Sequence, residues 1–139
     1  MIILDISSAI HILNGNESLK NVIDKFGADK FGITSPTIFE LYHGIYKLRY
    51  LKRKIPELNF ENLLEDLEDF IKQLHVFSLN ERAANLGAKI HMELKGKRQE
   101  IDVFDCLIAA IIITNGFKQI ITRNQKHFEK IKELVLYTF

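Results

Sequence analysis

The stretch "QEIDVFDCLIAAIIITNG", residues 99–116, decides the fold class. From Cys106 to Ile113 it is unbroken by any charge, so it reads as a helix buried on most sides rather than one with a watery face. Asn115 and Gly116 mark its end. Two acids, Asp102 and Asp105, stand at its amino-terminal edge, and no basic residue lies between them and Gly116. Asp102 suits a helix cap, where the macrodipole favours a negative charge. Asp105 lies within the first turn, so the dipole suits it too, but the adjoining "CLIAA" turns it toward the interior.

Outward from this helix, the chain alternates short apolar runs with longer periodic ones. Downstream, "QIIT", "HFEKI" and "LVLY" predict strand, short helix and strand. Upstream, "KGKRQE" reads as an exposed basic connection, "NERAANLGAKIHMEL" as a helix begun by Asn80, and "HVFSL" as a strand. In "NFENLLEDLEDFIKQL" the apolar residues Phe60, Leu63, Leu64, Leu67, Phe70, Ile71 and Leu74 recur at three- and four-residue steps, the mark of an amphipathic helix. "SPTIFELYHGIYKLRYLKRK" is a helix in which Ser35 is placed to cap and Pro36 takes the first position. "KFGIT" is a strand, "LKNVIDKF" a helix, and "MIILD" a strand feeding directly into the helix "SSAIHIL". Short strands separated by helices predict an α/β fold with a mainly parallel central sheet flanked by helices, its ligand site beyond the carboxyl ends of the strands.

The 139 residues suit one domain, 1–139, able to bury a core without disulfides. A hydrophobic content of 47% and a charged content of 27% exclude disordered and fibrous classes. The longest apolar run is far short of a membrane span, and "MIILDISSAI" lacks the marks of a signal peptide, so a cytoplasmic protein is expected, with no membrane partner. A formal net charge of +1 leaves nucleic-acid binding to local patches. The lone Cys106 lies within the apolar helix and reads as a small hydrophobe.

Four acids ask for a chemical explanation. Asp5 ends the first strand, Glu40 lies one turn into the helix that follows "KFGIT", and Asp102 and Asp105 open the central helix. Asn124 follows "QIIT" and so reaches the same sheet edge. Asp5 and Glu40 sit among apolar neighbours, where an unpaired carboxylate loses hydration. Two such charges about 4 Å apart repel by roughly 4 kcal/mol at an effective dielectric near 20, so converging carboxylates need protons, cationic side chains or a metal ion. A divalent ion is the simplest partner. Carboxylate oxygens without paired His or Cys favour Mg2+ or Mn2+ over zinc.

The motifs "MIILDISSAI", "IFELYHG", "DCLIAA" and "IITRNQKHFEKI", in this order, resemble the PIN-domain ribonucleases, in particular the VapC-type toxins of toxin–antitoxin pairs. The resemblance spans nearly the whole chain. It implies a PIN-like three-layer fold and an acidic pocket holding Mg2+ or Mn2+, with Asp5, Glu40 and Asp105 as metal ligands and Asn124 where a fourth acid is often found. Catalytic roles for Asp5, Glu40, Asp105 and Asn124 follow from the same resemblance, as do an RNA substrate, a homodimer and a cognate antitoxin. Two departures stand out: Ile6 occupies a place commonly held by Thr or Ser, with Ser7 keeping its own, and "KHF" replaces a common "DF", which puts His127 at an acid's place. Asp102 is then a supporting acid or simply a cap.

The leading reading is therefore a Mg2+- or Mn2+-dependent endoribonuclease; the alternatives are a catalytically weakened PIN-like RNA- or protein-binding module, or a structural partner whose acids only cap helices. An acidic pocket repels RNA, so cations must sit at its rim. Arg123 and Lys126, beside Asn124, are the first candidates. A second is "KLRYLKRK", where Arg49, Lys52, Arg53 and Lys54 interleave with Tyr50. The five histidines show no zinc spacing and read as surface or core-edge residues.

Overall fold

The computed structural model describes residues 1–52 and 55–139. Five strands form one sheet: β1 (Ile2–Leu4), β2 (Phe31–Thr34), β3 (His75–Phe77), β4 (Gln119–Ile121) and β5 (Val135–Tyr137), in the order β3-β2-β1-β4-β5. Every neighbouring pair is parallel, with Ile3 opposite both Gly32 and Ile120. The intervening helices are α1 (Ile6–Leu13), α2 (Glu17–Phe26), α3 (Ser35–Lys47), α4 (Glu57–Lys72), α5 (Glu81–Gly96), α6 (Val103–Thr114) and α7 (Gln125–Phe128). A 3-10 turn, Ala28–Lys30, precedes β2, and a π-helical turn, Leu48–Lys52, extends α3.

Successive strand residues point to opposite faces, and the core divides accordingly. Ile3 and Ile120 join Leu94, Ile108, Ala109, Ile112 and Phe128 in one cluster, beneath α5, α6 and α7. Leu4 and Ile121 join Ala9, Ile23, Ile33, Leu41 and Leu67 in the other, beneath α1 to α4. The result is three layers, helix on sheet on helix. The expected burial of α6 is observed: Cys106, Ile108, Ala109, Ala110, Ile111 and Ile112 are almost wholly inaccessible. Gly87 lets α5 lie close against it, since a Cβ there would meet Leu107 Cδ2 at 2.9 Å.

Several local expectations need correction. Thr34, not Ser35, occupies the cap position of α3, and the Ser35 hydroxyl instead accepts the Leu79 N–H at 2.9 Å, tying the loop after β3 to the start of α3. The short helix near the carboxyl terminus is Gln125–Phe128 rather than "HFEKI", because its turn begins directly at the Asn124 carbonyl. The basic "KGKRQE" connection starts inside α5, which runs to Gly96. Asn80 does cap α5, accepting the Ala83 N–H at 2.9 Å.

The chain begins in the middle of the sheet, builds β2 and β3 to one side, and then returns to build β4 and β5 on the other. Strand order thus reverses at β1 and β4, where a parallel sheet leaves a crevice beyond its carboxyl ends. Asp5 follows β1 and Thr122 follows β4, so both stand at that crevice.

Candidate active site

Asp5 is 1% exposed, and its carboxylate is held by donors from two elements. Oδ1 accepts the Ser7 hydroxyl at 2.7 Å, the Ser8 N–H at 2.9 Å and the Ser8 hydroxyl at 3.1 Å, so Asp5 is also the cap of α1. Oδ2 accepts the Thr122 hydroxyl at 2.5 Å. The loop after β4 closes this arrangement with its backbone, for Arg123 N–H donates to Ser7 Oγ at 3.0 Å and Asn124 N–H to Thr122 Oγ1 at 2.8 Å. Two hydroxyls therefore transmit the position of the β4 loop to one buried carboxylate.

Asp105, 6% exposed, forms the second node. Its Oδ2 lies 3.0 Å from Asn124 Nδ2 and 2.6 Å from His127 Nδ1, and the Asn124 and His127 nitrogens are themselves 2.8 Å apart. Asp102 behaves as a cap, accepting the Phe104 N–H at 2.8 Å while its side chain stays exposed. Phe104 in turn stacks on Phe39 of α3, ring centroids 5.5 Å apart, which sets Glu40 beside the start of α6.

The electrostatics bind these acids into one field. Burial first, and then the negative charges of Asp102, Asp105 and Asp5, together push the Glu40 carboxyl from an ordinary 4.5 up to about 7. Burial also raises Asp105; the His127 hydrogen bond and charge oppose this, while Asp102 and Asp5 reinforce it. The neighbouring Cys106 thiol is pushed up to about 11 by burial and by Asp105, which keeps it protonated and inert. Among the described residues, none of the four acids forms an ion pair with a Lys or Arg.

That donor set fits a hard divalent cation: oxygen-rich, crowded with negative charge, and, among the described residues, met by His127 but by no Lys or Arg. As the side chains stand, no three Asp, Glu, His or Cys groups among the described residues surround a single point. Asp5 and Asp105 are instead turned toward the hydroxyl, amide and imidazole groups just described.

A family model of the PIN domain matches residues 2–134. The chain belongs to the PIN domain family. No curated protein matches the sequence, but solved structures share the fold of this PIN domain. A chain of DNA-bound VapBC from Salmonella typhimurium matches with a TM-score of 0.82 at 24% identity, covering 99% of this chain and 98% of that one. FitAcB from Neisseria gonorrhoeae gives 0.80 at 22% identity, covering 99% and 96%. VapBC-1 from nontypeable Haemophilus influenzae gives 0.79 at 20% identity, covering 99% and 98%.

Within this PIN domain the residues singled out from sequence divide by place. Asp5 and Asp105 with Asn124 stand at the crevice, and Glu40 and Asp102 share its field. Arg123 directs its guanidinium away from the acids, 3.2 Å from His11 Nδ1 and stacked 4.6 Å above the Phe139 ring. Lys126 is exposed, two residues beyond Asn124. Arg49 lies roughly 13 Å along the helix axis from Glu40. It pairs with Glu57 at 2.9 Å over the Phe60 ring, which bridges the π-helical extension of α3 to α4. Arg53 and Lys54 of the same basic run lie outside the described residues.

Sequence reasoning missed three side chains. Ser8 had no charge or spacing to mark it, and Thr122 entered only as part of "IITRNQKHFEKI", with no carboxylate named as its partner. His127 was read as a surface or core-edge residue, whereas it makes the shortest contact to Asp105. The signal was its place where relatives commonly carry an acid.

Proposed function

We propose that this PIN domain protein is a Mg2+- or Mn2+-dependent endoribonuclease, the toxin of a VapBC-type toxin–antitoxin pair acting in the cytoplasm. The observation that carries the reading is the acid field at the sheet's switch point, where Glu40 is pushed up to about 7 by burial and three other acids, with no Lys or Arg paired to any of them among the described residues. Asp5, Glu40 and Asp105 would hold the ion. When bound, it supplies charge compensation for the phosphodiester and a more acidic attacking water.

The chain's own residues do the positioning. Ser7, Ser8 and Thr122 fix the Asp5 carboxylate, so its orientation is set before any ligand arrives. Glu40, pushed up to about 7, exchanges its proton near neutral pH in the ion-free protein, and entering positive charge favours its ionised form. Lys126, exposed two residues beyond Asn124, attracts the RNA backbone at the rim. Arg123 contributes there on leaving its stack on Phe139.

An antitoxin segment and a second copy of the chain complete the proposal. A groove of about 280 Å3 is lined by Ile10, Leu13, Ile45, Leu48 and Leu63 together with Glu40 and Asp66, a mainly apolar track with two acids that suits an apolar segment carrying a cation. Phe39 and Tyr50 are 55% and 67% exposed on the outer side of α3 and its extension, a surface suited to a dimer contact.

The test is cleavage of a defined RNA with Mg2+ or Mn2+, with chelator, and in Asp5→Asn and Asp105→Asn proteins whose fold is verified by circular dichroism. Cleavage that needs the ion and fails in both variants is expected. Full activity in both, or after chelation, overturns the reading.

A further inference from the structure

Arg123 is a cation next to a field of acids, yet its side chain turns from them. Its guanidinium carbon lies 4.6 Å over the Phe139 ring, and Nη2 is 3.2 Å from His11 Nδ1. Among the described residues it pairs with no Asp or Glu. Resting on the nuclease reading, we propose that Phe139, His11 and Arg123 form a nucleotide subsite for single-stranded RNA: a base stacks on Phe139 where the guanidinium now lies, and the displaced guanidinium pairs with a phosphate.

The cradle under the guanidinium is fixed. An arginine only donates, so His11 Nδ1 accepts and the ring proton sits on Nε2, which donates to Ser18 Oγ at 3.1 Å. The His11 and Phe139 rings are 4.8 Å apart and tilted by 57°, and Phe139 packs against the core cluster beneath α1 to α4. Arg123 is fixed only at its backbone, where its N–H donates to Ser7 Oγ at 3.0 Å and the Ser7 hydroxyl in turn holds Asp5 at 2.7 Å. Its side chain is exposed and free to swing while the rings stay in place.

Both halves of the exchange run in favour of RNA. A base on an aromatic ring is held more strongly than an exposed cation over the same ring, and the released guanidinium trades a neutral imidazole for a charge-assisted, bidentate phosphate partner. The planar guanidinium thus keeps a base's place on Phe139. A duplex keeps its bases stacked and paired, so the subsite selects single strands. His11 lies about 9 Å along the α1 axis from Asp5, which sets the nucleotide to one side of the bond that faces the acids.

The experiment uses the intact protein as wild type, Phe139→Leu, Phe139→Tyr and Arg123→Ala, with melting temperatures compared first. The probe is a short single-stranded RNA, end-labelled for anisotropy or carrying 2-aminopurine at each position in turn, at low salt with chelator so that it is not cut. The wild type is expected to quench 2-aminopurine at one position. Phe139→Leu should lose that quenching and about tenfold in affinity, and Phe139→Tyr should keep both. Arg123→Ala should keep the quenching while the slope of log affinity against log salt falls by about 0.7. Binding of a duplex of the same sequence should not respond to Phe139→Leu. Single-strand binding and quenching unchanged in Phe139→Leu overturn the subsite, and so does a wild type that binds the RNA with no position quenched, a result that decides even where Phe139→Leu lowers the melting temperature. In either case cleavage that still needs Mg2+ or Mn2+ leaves the nuclease reading standing. A wild type that binds no single strand overturns the subsite, and if it also cuts none with either ion, the nuclease reading falls with it.

Discussion

Removing the Thr122 hydroxyl leaves the buried Asp5 Oδ2 without that donor, in a place where water does not replace it. Hydrogen bonds to a charged group contribute about 1.5–3 kcal/mol, so Thr122→Val should lower stability by about that amount and Thr122→Ser by much less. Urea denaturation midpoints measure the difference. Glu40 gives a second prediction at this scale. Its carboxyl holds a proton more tightly in the folded state, near pH 7, than its ordinary 4.5. Below 4.5 the group is protonated whether folded or not and costs nothing. Between 4.5 and 7 the unfolded chain ionises freely while the folded protein keeps its proton, so stability falls as pH rises and levels off above 7. The ion-free protein should therefore melt at a lower temperature at pH 8 than at pH 5, and Glu40→Gln should flatten that slope. Solvent reaching the half-buried side chain reduces the size of the effect without changing its sign. Asp5, Glu40 and Asp105 were legible from sequence because an acid among apolar neighbours is anomalous. The contacts of Thr122 and His127 were not, since a hydroxyl or an imidazole, even one at an acid's place, does not name the carboxylate it will meet.

At the scale of elements, the centre of the sheet is the least forgiving part. A Cβ on Gly32 would lie 2.7 Å from the Phe77 ring, 3.0 Å from Ile3 Cδ1 and 3.2 Å from the His75 carbonyl oxygen. The first two could shift, but the carbonyl belongs to the β2–β3 ladder. Gly32→Ala should thus cost about 1–3 kcal/mol through overpacking, read as a lower denaturation midpoint with unchanged steepness. An unaltered midpoint would show that β3 moves freely against β2. Helices were read well from sequence where periodicity or chemistry was strong: α4 by its apolar spacing, α5 by Asn80, α6 by its uncharged run. Boundaries failed where a contact from elsewhere set them. Ser35 looked like a cap, but Leu79 N–H, 44 residues away in sequence, claims its hydroxyl.

For the molecule as a whole, the proposed function makes the acid field a trade of stability for the capacity to bind an ion. The fold gathers Asp5, Glu40, Asp102 and Asp105 at the one edge where strand order reverses, and pushes Glu40 and Asp105 above their ordinary range in doing so. A ligand that binds only the folded state returns stability by mass action, about 2.7 kcal/mol at one hundred times its dissociation constant. For a domain of this size that corresponds to a rise of about 8 °C in melting temperature. The rise should be larger at pH 8 than at pH 5, because protons occupy Glu40 in the acid range and compete with the ion. Asp5→Asn combined with Asp105→Asn should abolish it while preserving the helical circular dichroism spectrum. Scanning calorimetry with Mn2+, Mg2+ and Ca2+ at both pH values separates site binding from general salt screening, which acts on all three divalent ions alike and persists in the double variant. A wild-type protein whose melting temperature ignores Mn2+ and Mg2+ at pH 8 would show that its acids are held by the hydroxyl, amide and imidazole contacts alone.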